Sequence, residues 1–223
     1  MNNLFIQFAL IALLFSGCRR EPQDLVITSV NTTTQSGEME ININRSLFSS
    51  PHEELNETCE MFNDQIALFI QNLEDSVQSS ATQLFNDLKR QNIPLPSWKY
   101  SFYVTDSVFM ATTEFISLRL TVYTFTGGAH GMTQFYAFNF DIKNQQLISS
   151  REILKESNPE EINQLLKNHF KNPEGCFSTD PTGEKASTIN LSKDGACFTF
   201  AQYKLGPYSC GAAEITIPWP EIR

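Results

Sequence analysis

The sequence predicts an α+β fold in which antiparallel sheets are covered by one long and one shorter helix. Three patterns lead to this prediction. Apolar residues recur every three or four positions from Leu55 to Leu88, as on one face of a helix. Apolar and aromatic residues alternate over 98–142, as in strands. A second, shorter helical stripe runs from Ile162 to Phe170.

The composition is that of a globular chain with an acidic surface. The 223 residues are 41% hydrophobic and include 18 Phe, enough for one sizeable core or two small packed subdomains. The formal net charge is −9, without a basic run. Phosphate binding needs clustered Lys and Arg, so the composition argues against a nucleic-acid ligand and favours a basic protein partner.

Residues 1–17 have the character of a lipoprotein signal peptide. The apolar run 4–15 is too short to span a bilayer comfortably, and L-F-S-G-C, ending at Cys18, resembles a bacterial lipobox. The resemblance implies export, cleavage before Cys18, a lipid on that cysteine and a tether over 18–23. The residue after Cys18 is Arg19 and not the aspartate that is linked to retention of lipoproteins in the inner membrane, which favours the outer membrane. Because no Lys or Arg precedes the apolar run, an uncleaved N-terminal anchor is the alternative.

Two strands and a long helix open the mature chain. Alternation predicts strands over 24–34 and 38–48. Ser50 as a cap and Pro51 at the first helical position predict the start of the helix. The stripe that follows fits one helix or two that break near residues 79–80. We expect it to pack on the sheet rather than in a coiled coil, because aromatic-rich strands need a cover.

Three further strands are predicted over 98–103, 108–113 and 115–125, with a turn at 105–107 between the first two. The third is apolar on both faces, which is typical of a central strand. The alternating residues 132–142 should form its antiparallel neighbour.

The C-terminal part again combines helix and strand. Asn158 caps a predicted helix, the pair 194–195 turns a hairpin, and residues 213–217 form a closing strand. We expect an N-terminal α+β half over 24–126 and a C-terminal α+β half over 127–223.

A glycine-rich loop lies between the two halves. Gly127, Gly128 and Gly131 can take positive φ at a tight corner between two strands, and His130 is held at that corner. His130 is the candidate ligand contact or general base. The alternative is a hairpin loop whose histidine is incidental.

The second candidate segment contains Tyr203, Pro207, Tyr208 and Gly211. Exposed tyrosines beside a rigid proline make a suitable binding ridge, because they bury area with little loss of entropy. The alternative is an aromatic plug of the core. We expect this segment to lie on one surface with His130, through strands that belong to the same sheet.

Both segments resemble a known family. Y-T-F-T-G-G-A-H-G, ending at Gly131, is similar to the Y-T-G-G-A-H-G signature of the RsiV/PdaC-like extracytoplasmic module. F-T-F-A-Q-Y-K-L-G-P-Y-S-C-G, over 198–211, resembles that family's second signature. The module occurs in a lysozyme-sensing anti-sigma factor and in a peptidoglycan deacetylase. The resemblance covers about 24–222 and implies a protein ligand such as a lysozyme-like protein, or a peptidoglycan ligand.

Four cysteines remain besides Cys18, and in an exported chain they fit two disulfides with three possible connectivities. We expect Cys176–Cys197 as the likelier bridge. All four, Cys59, Cys176, Cys197 and Cys210, are disulfide candidates; the alternative is that some are buried free thiols, which Cys59 fits best because it lies on the apolar face of the long helix.

The sequence favours binding over catalysis. His52 and His169 lie near helix ends and fit solvated positions, and metal-ligand spacings, P-loops and nucleophile elbows are absent from the sequence. We therefore expect no metal, no cofactor and no catalytic residue. The rival hypothesis is a small cell-wall hydrolase that uses His130 with nearby carboxylates, and a third is a structural envelope lipoprotein.

Overall fold

The structure is a computed structural model that describes residues 25–154, 157–172 and 174–222. The predicted signal peptide, Cys18 and the 18–23 tether lie outside these residues. Within them the chain forms nine strands and three α-helices. The strands are β1 (Val26–Gln35), β2 (Met39–Ser49), β3 (Tyr100–Ala111), β4 (Phe115–Phe125), β5 (Met132–Asp141), β6 (Gln146–Ile148), β7 (Thr188–Leu191), β8 (Gly195–Phe200) and β9 (Ala213–Pro218). The helices are α1 (Glu53–Arg90), α2 (Ser150–Ile153) and α3 (Pro159–His169).

The strands form two sheets. The first has the order β1-β2-β3-β4-β5-β6 and the second the order β7-β8-β9. Neighbouring strands are antiparallel except β2 and β3, which are parallel because α1 connects them as a crossover. The predicted α+β class, with one long and one shorter covering helix, is confirmed.

Helix α1 covers one face of the first sheet as a single helix of 38 residues. Its buried Phe62, Ile66 and Phe85 belong to one apolar core with Leu118 and Leu120 of β4. The alternative of two helices is therefore excluded. Within the described ranges, no helix combines the length and the apolar composition needed to cross a lipid bilayer.

The start of α1 differs from the prediction. The residue that precedes the helix is His52, without a side-chain cap, and Ser50 does not cap it. The Ser50 hydroxyl instead accepts a hydrogen bond from the His52 amide at 3.2 Å. Asn56 Oδ1 accepts from the Ser50 amide at 3.1 Å, which fixes the chain before the first turn.

The predicted turn at 105–107 is wrong, because β3 runs through it as one strand with a bulge between Val108 and Met110. Asp106 is the reason. Its carboxylate accepts hydrogen bonds from the backbone amide and the hydroxyl of Ser46 in β2, the latter at 3.0 Å. A residue that favours turns in isolation is thus held in the strand by a bond from a distant segment.

The second sheet has its own core against α3. Asn158 caps α3 as predicted, because its side chain accepts from the Glu160 amide. Ile162 and Leu166 of α3 are buried together with Phe198 and Ile215. The molecule therefore has four layers, in the order α1, first sheet, second sheet and α3.

The layer between the two sheets is polar. Arg119 of β4 is 7% exposed, and its Nη1 lies 2.7 Å from Thr199 Oγ1 and 2.6 Å from Glu214 Oε1. Its guanidinium carbon lies 5.2 and 5.1 Å from the ring centroids of Phe109 and Phe135. Five other polar side chains are buried in this layer: Ser117, Asn139, Thr188, Asn190 and Thr199. The two sheets are thus joined by directional bonds, which fix how the loops of one sheet lie beside those of the other.

Candidate functional site

The glycine loop joins β4 to β5 and is shaped by two rings beneath it. Gly127 and Gly128 have φ of 95° and 96°. A Cβ on Gly127 would lie 2.7 Å from the Trp98 ring, and one on Gly131 would overlap the Tyr123 ring. A Cβ on Gly128 would meet nothing within 4 Å, so Gly128 is required by backbone conformation alone.

His130 is exposed at the tip of this loop, and both of its ring nitrogens are engaged. Nδ1 lies 3.0 Å from the Gly131 carbonyl oxygen, and Nε2 lies 3.3 Å from the Tyr203 hydroxyl. A carbonyl oxygen can only accept, so Nδ1 carries the proton and, in the neutral ring, Nε2 accepts from Tyr203. This network therefore defines one tautomer of the neutral imidazole.

Tyr203 has an unusual backbone for an aromatic residue. It lies in a turn closed by the Lys204 amide, which donates to the Ala201 carbonyl at 3.1 Å. Its φ is 67°, in the left-handed region that favours glycine, and its side chain is 56% exposed. Non-glycine residues with such a backbone conformation occur preferentially at functional sites.

Tyr208 stacks directly on His130. The ring centroids are 3.8 Å apart and the planes differ by 17°. Tyr208 begins a short 3-10 helix, Tyr208–Cys210, directly after the exposed Pro207. Gly211 follows with φ 75° and ψ −158°, a combination that is essentially confined to glycine.

A disulfide fixes this turn. Cys176 is bonded to Cys210, with a Cα–Cα distance of 5.7 Å. The predicted bridge Cys176–Cys197 is wrong, because Cys197 is a free thiol buried within β8. Cys59 is also free and buried, as expected from its place on α1. Burial raises the pKa of both free thiols, so they are protonated and unreactive at neutral pH.

His130, Tyr203 and Tyr208 together form what we call the aromatic cluster. The centroid of Tyr203 lies 6.4 Å from His130 and 5.7 Å from Tyr208. The structure thus brings both sequence signatures to one surface. The expectation that the two segments meet through strands of the same sheet is wrong, however. The strand after His130 is β5 of the first sheet, and the strand before Pro207 is β8 of the second.

Further rings near the cluster were missed from the sequence. Tyr103 and Tyr123 lie opposite each other on β3 and β4, with centroids 5.7 Å apart and planes 19° apart. Tyr123 also packs under Gly131. This pairing was not predicted, because a turn and a separate strand were expected between the segments that carry Tyr103 and Tyr123.

The three rings of the cluster line none of four larger cavities in the described part of the chain. Among described residues, no hydrogen bond or ion pair joins His130 to a carboxylate. A cavity of about 470 Å³ lies beside β9 and is lined by other residues, including His169. His169 Nε2 lies 2.9 Å from Glu221 Oε2, and His52 is exposed. No group of three metal-ligating side chains occurs within the described ranges.

Two sequence families match consecutive parts of the chain. The family described as "Deacetylase PdaC" matches residues 30–133, and the family described as "Protein of unknown function (DUF3298)" matches residues 138–220. The chain is a tandem PdaC–DUF3298 protein. The family expected from the two signatures is therefore confirmed, and the two matches meet within β5.

Two solved structures share the fold of this PdaC–DUF3298 protein. A DUF3298 family member from Bacteroides fragilis has a TM-score of 0.61 at 17% identity, over 90% of this chain and 93% of that chain. A DUF3298 family protein from Pseudomonas aeruginosa PAO1 has a TM-score of 0.55 at 16% identity, over 91% and 96%. At these identities the likeness concerns the fold. No curated protein matches the sequence.

Proposed function

We propose that this PdaC–DUF3298 protein is a lipid-anchored protein of the bacterial cell envelope that binds a ligand at the aromatic cluster without catalysing a reaction. The observation that carries the proposal is the convergence of three rings from two segments far apart in sequence. Local features fix the conformation of both segments. The glycine loop packs on two aromatic rings, Tyr203 has a left-handed backbone, and a disulfide lies beside Tyr208.

The cluster has the chemistry of an interface anchor. Tyrosine buries a large area at low entropic cost and keeps a polar hydroxyl for orientation. Tyr203 and Tyr208 are already positioned by their mutual packing and by His130, so little order is lost on binding. Exposed Pro207 extends the same surface without adding flexibility.

A basic protein of the lysozyme type is the ligand class that we favour. The chain carries a formal net charge of −9, which would attract a cationic protein. The family resemblance includes a lysozyme-sensing protein, which points in the same direction. Peptidoglycan is the second candidate, because exposed stacked rings also suit the apolar faces of sugars.

The contacts of His130 favour binding over the rival hydrolase. A general base needs a ring nitrogen directed at the proton that it removes, and a glycosidase needs a pair of carboxyl groups. In His130, one nitrogen faces the Gly131 carbonyl and the other faces the Tyr203 hydroxyl. These bonds instead hold the imidazole flat against Tyr208.

Truncation of Tyr208 tests the proposed site. Tyr208→Ala should weaken capture of a lysozyme, or of peptidoglycan fragments, by about 1–3 kcal/mol, as truncation of an interface anchor does. Tyr136→Ala is the matched control, because Tyr136 is also half-buried but packs on Phe69 of α1, with centroids 4.9 Å apart. The control should lower thermal stability and leave capture intact. If Tyr208→Ala melts far lower while its folded fraction binds normally, Tyr208 is a core residue and the site is wrong.

The anchor is tested separately. Cys18→Ser should abolish metabolic labelling with a lipid precursor and release the protein from the membrane fraction or leave it unprocessed. If the wild type carries no lipid and Cys18→Ser fractionates as the wild type does, the anchor proposal fails while the binding proposal stands.

A further inference from the structure

Strand β1 forms one edge of the first sheet and is open to solvent along its whole length. All ten residues from Val26 to Gln35 are exposed. Among described residues, β1 pairs with β2 alone, from Val26 opposite Ser49 to Gln35 opposite Glu40. Its outer side therefore presents a row of backbone amides and carbonyls that can accept another strand.

The usual protections of an edge strand are missing from β1. Its sequence, V-I-T-S-V-N-T-T-T-Q, contains no charged residue and no proline, and its pairing with β2 has no register shift. Val26, Ile27 and Val30 are 50%, 44% and 37% exposed. The opposite edge of the sheet is β6, which has only three residues. Long, uncharged and unbulged edges are rare in natural sheets because they recruit strands.

A groove runs beside β1, between its inner face and α1. The cavity there is about 340 Å³ and is bounded by the strand, the helix and β2. A strand added to β1 would direct alternate side chains to the face that carries Val30 and Thr32, and so over this groove. The lining residues are Val30, Thr32, Ile43, Arg45, Ala67, Ile70, Gln71, Glu74 and Asp75.

The charge beside the groove is acidic. Helix α1 has eight Asp and Glu over residues 53–88 and no Lys or Arg before Lys89. Glu74 and Asp75 line the groove, and neither forms an ion pair with a described residue.

The groove also contains a cationic side chain, Arg45, which already interacts with two carboxylates outside the groove. Burial lowers the pKa of Arg45, but Asp106 and Asp64 oppose that shift, so Arg45 has acidic neighbours of its own. Burial, and then the charge of Asp75, raises the pKa of Glu74, and Glu74 forms no ion pair with a described residue. A cationic side chain added to the groove would form one.

We propose that β1 is the docking edge for an extended cationic segment of a protein partner. The segment adds to the first sheet beside β1 and lays alternate Lys or Arg side chains over Glu74 and Asp75. A second copy of this chain is a poorer occupant, because edge-to-edge pairing about a two-fold axis normal to the sheet would bring two acidic α1 helices to the same face. This surface is distinct from the aromatic cluster, and the proposal does not depend on it.

The first experiment uses the full chain in non-ionic detergent and a synthetic peptide of alternating threonine and lysine as long as β1. The peptide should bind and slow hydrogen exchange at backbone amides of Val26–Gln35. A peptide of alternating threonine and glutamate should not bind. Binding without protection of β1 would overturn the proposal. So would self-association through β1 in the absence of peptide, which would assign the edge to a second copy.

Two further peptides separate strand addition from attraction by charge. N-methylation of alternate residues removes the amide donors from one edge of a strand while the lysines are kept. Methylation of one alternate set should abolish binding, and methylation of the other set should be tolerated, because an added strand uses one edge. Equal binding of both methylated peptides would show that charge alone holds the peptide and would refute docking on β1.

Matched charge variants locate the cationic contact. Glu74→Gln with Asp75→Asn should weaken peptide binding roughly three- to tenfold at low salt, as expected when two partly exposed ion pairs are lost. Glu53→Gln with Glu54→Gln removes an adjacent acidic pair from the first turn of the same helix and should have a smaller effect. Equal losses from the two double variants would contradict the assignment. Tyr208→Ala should leave peptide binding unchanged, which keeps this test independent of the aromatic cluster.

Discussion

Removal of the Cys176–Cys210 bridge should destabilise the fold and loosen the aromatic cluster together. The bridge joins residues 34 positions apart. The chain-entropy relation for a loop of that length gives a stabilisation of about 3.8 kcal/mol at 25 °C. For a domain of this size, that loss should lower the melting temperature by about 8–15 °C.

The double variant Cys176→Ser with Cys210→Ser is the appropriate perturbation, because it leaves no unpaired thiol to form other bonds. Urea denaturation followed by intrinsic fluorescence gives the free energy of unfolding. Cys197→Ala is the matched control, since it removes a buried free thiol and should cost about 1 kcal/mol.

The variant should also bind ligand more weakly than its loss of stability alone explains. Tyr208 and Cys210 lie in one 3-10 helix, so the bridge limits how far the Tyr208 ring can move from His130. If the double variant unfolds at the same urea concentration as the wild type, the bridge contributes nothing. If alkylation finds Cys197 bonded in exported protein, the observed pairing is wrong.

Three other predictions concern backbone, packing and charge. Gly128→Ala should lower the free energy of unfolding by about 1–2 kcal/mol, because φ is positive at this position. Gly127→Ala should lower it by more in the same denaturation assay, because the added Cβ would also overlap the Trp98 ring beneath it. Equal losses from the two variants would contradict this packing. Arg119→Met should lower the free energy of unfolding by about 1–3 kcal/mol, and Glu214→Gln should lower it by less because Glu214 is half-exposed. If Arg119→Met has the same free energy of unfolding as the wild type, the polar layer does not stabilise the fold. Glu74→Gln should raise the melting temperature at neutral pH. The pKa of the Glu74 carboxyl is raised in the folded state, so the folded state loses stability as the pH rises and the group ionises. The gain in melting temperature should vanish in acid, and a gain that persists there would refute the charge explanation.

The sequence predicted elements that are set by local periodicity. The apolar stripe of α1 and the extent of β4 were predicted correctly, because packing against one core imposes periods of 3.6 on a helix and 2 on a strand. The polar residues Ser117 and Arg119, which alternate with apolar ones in β4, already indicated that its second face is polar. We interpreted that face as apolar, and so the layer between the sheets was not foreseen.

Features set by distant contacts could not be read from the sequence. Asp106 favours a turn locally, but its bonds to Ser46 hold it within the continuous strand β3. The choice of Cys210 over Cys197 as the partner of Cys176 depends on which cysteine lies inside a strand and which lies in an exposed turn. No local rule indicates these facts.

The aromatic cluster could be predicted from the sequence only in part. The glycine loop and the Gly-Pro-Tyr turn carry local signals, so His130 and Tyr208 could be selected from sequence. Tyr203 was named as a candidate in the same segment, but its backbone conformation could not be predicted, since tyrosine is not a residue that signals positive φ. Contact between the two segments depends on the polar layer, which sets how the two sheets face each other.

The variant Tyr203→Gly tests most directly whether the cluster is a binding site. Glycine suits the φ of 67° better than tyrosine, so the variant should melt at the same or a higher temperature than the wild type. It also removes an exposed ring and the hydroxyl that donates to His130, so capture of a lysozyme or of peptidoglycan fragments should fall by about 1–3 kcal/mol. Stability kept and binding lost is the result that we predict. Undiminished binding to either probe by Tyr203→Gly would contradict the assignment of the aromatic cluster as the site.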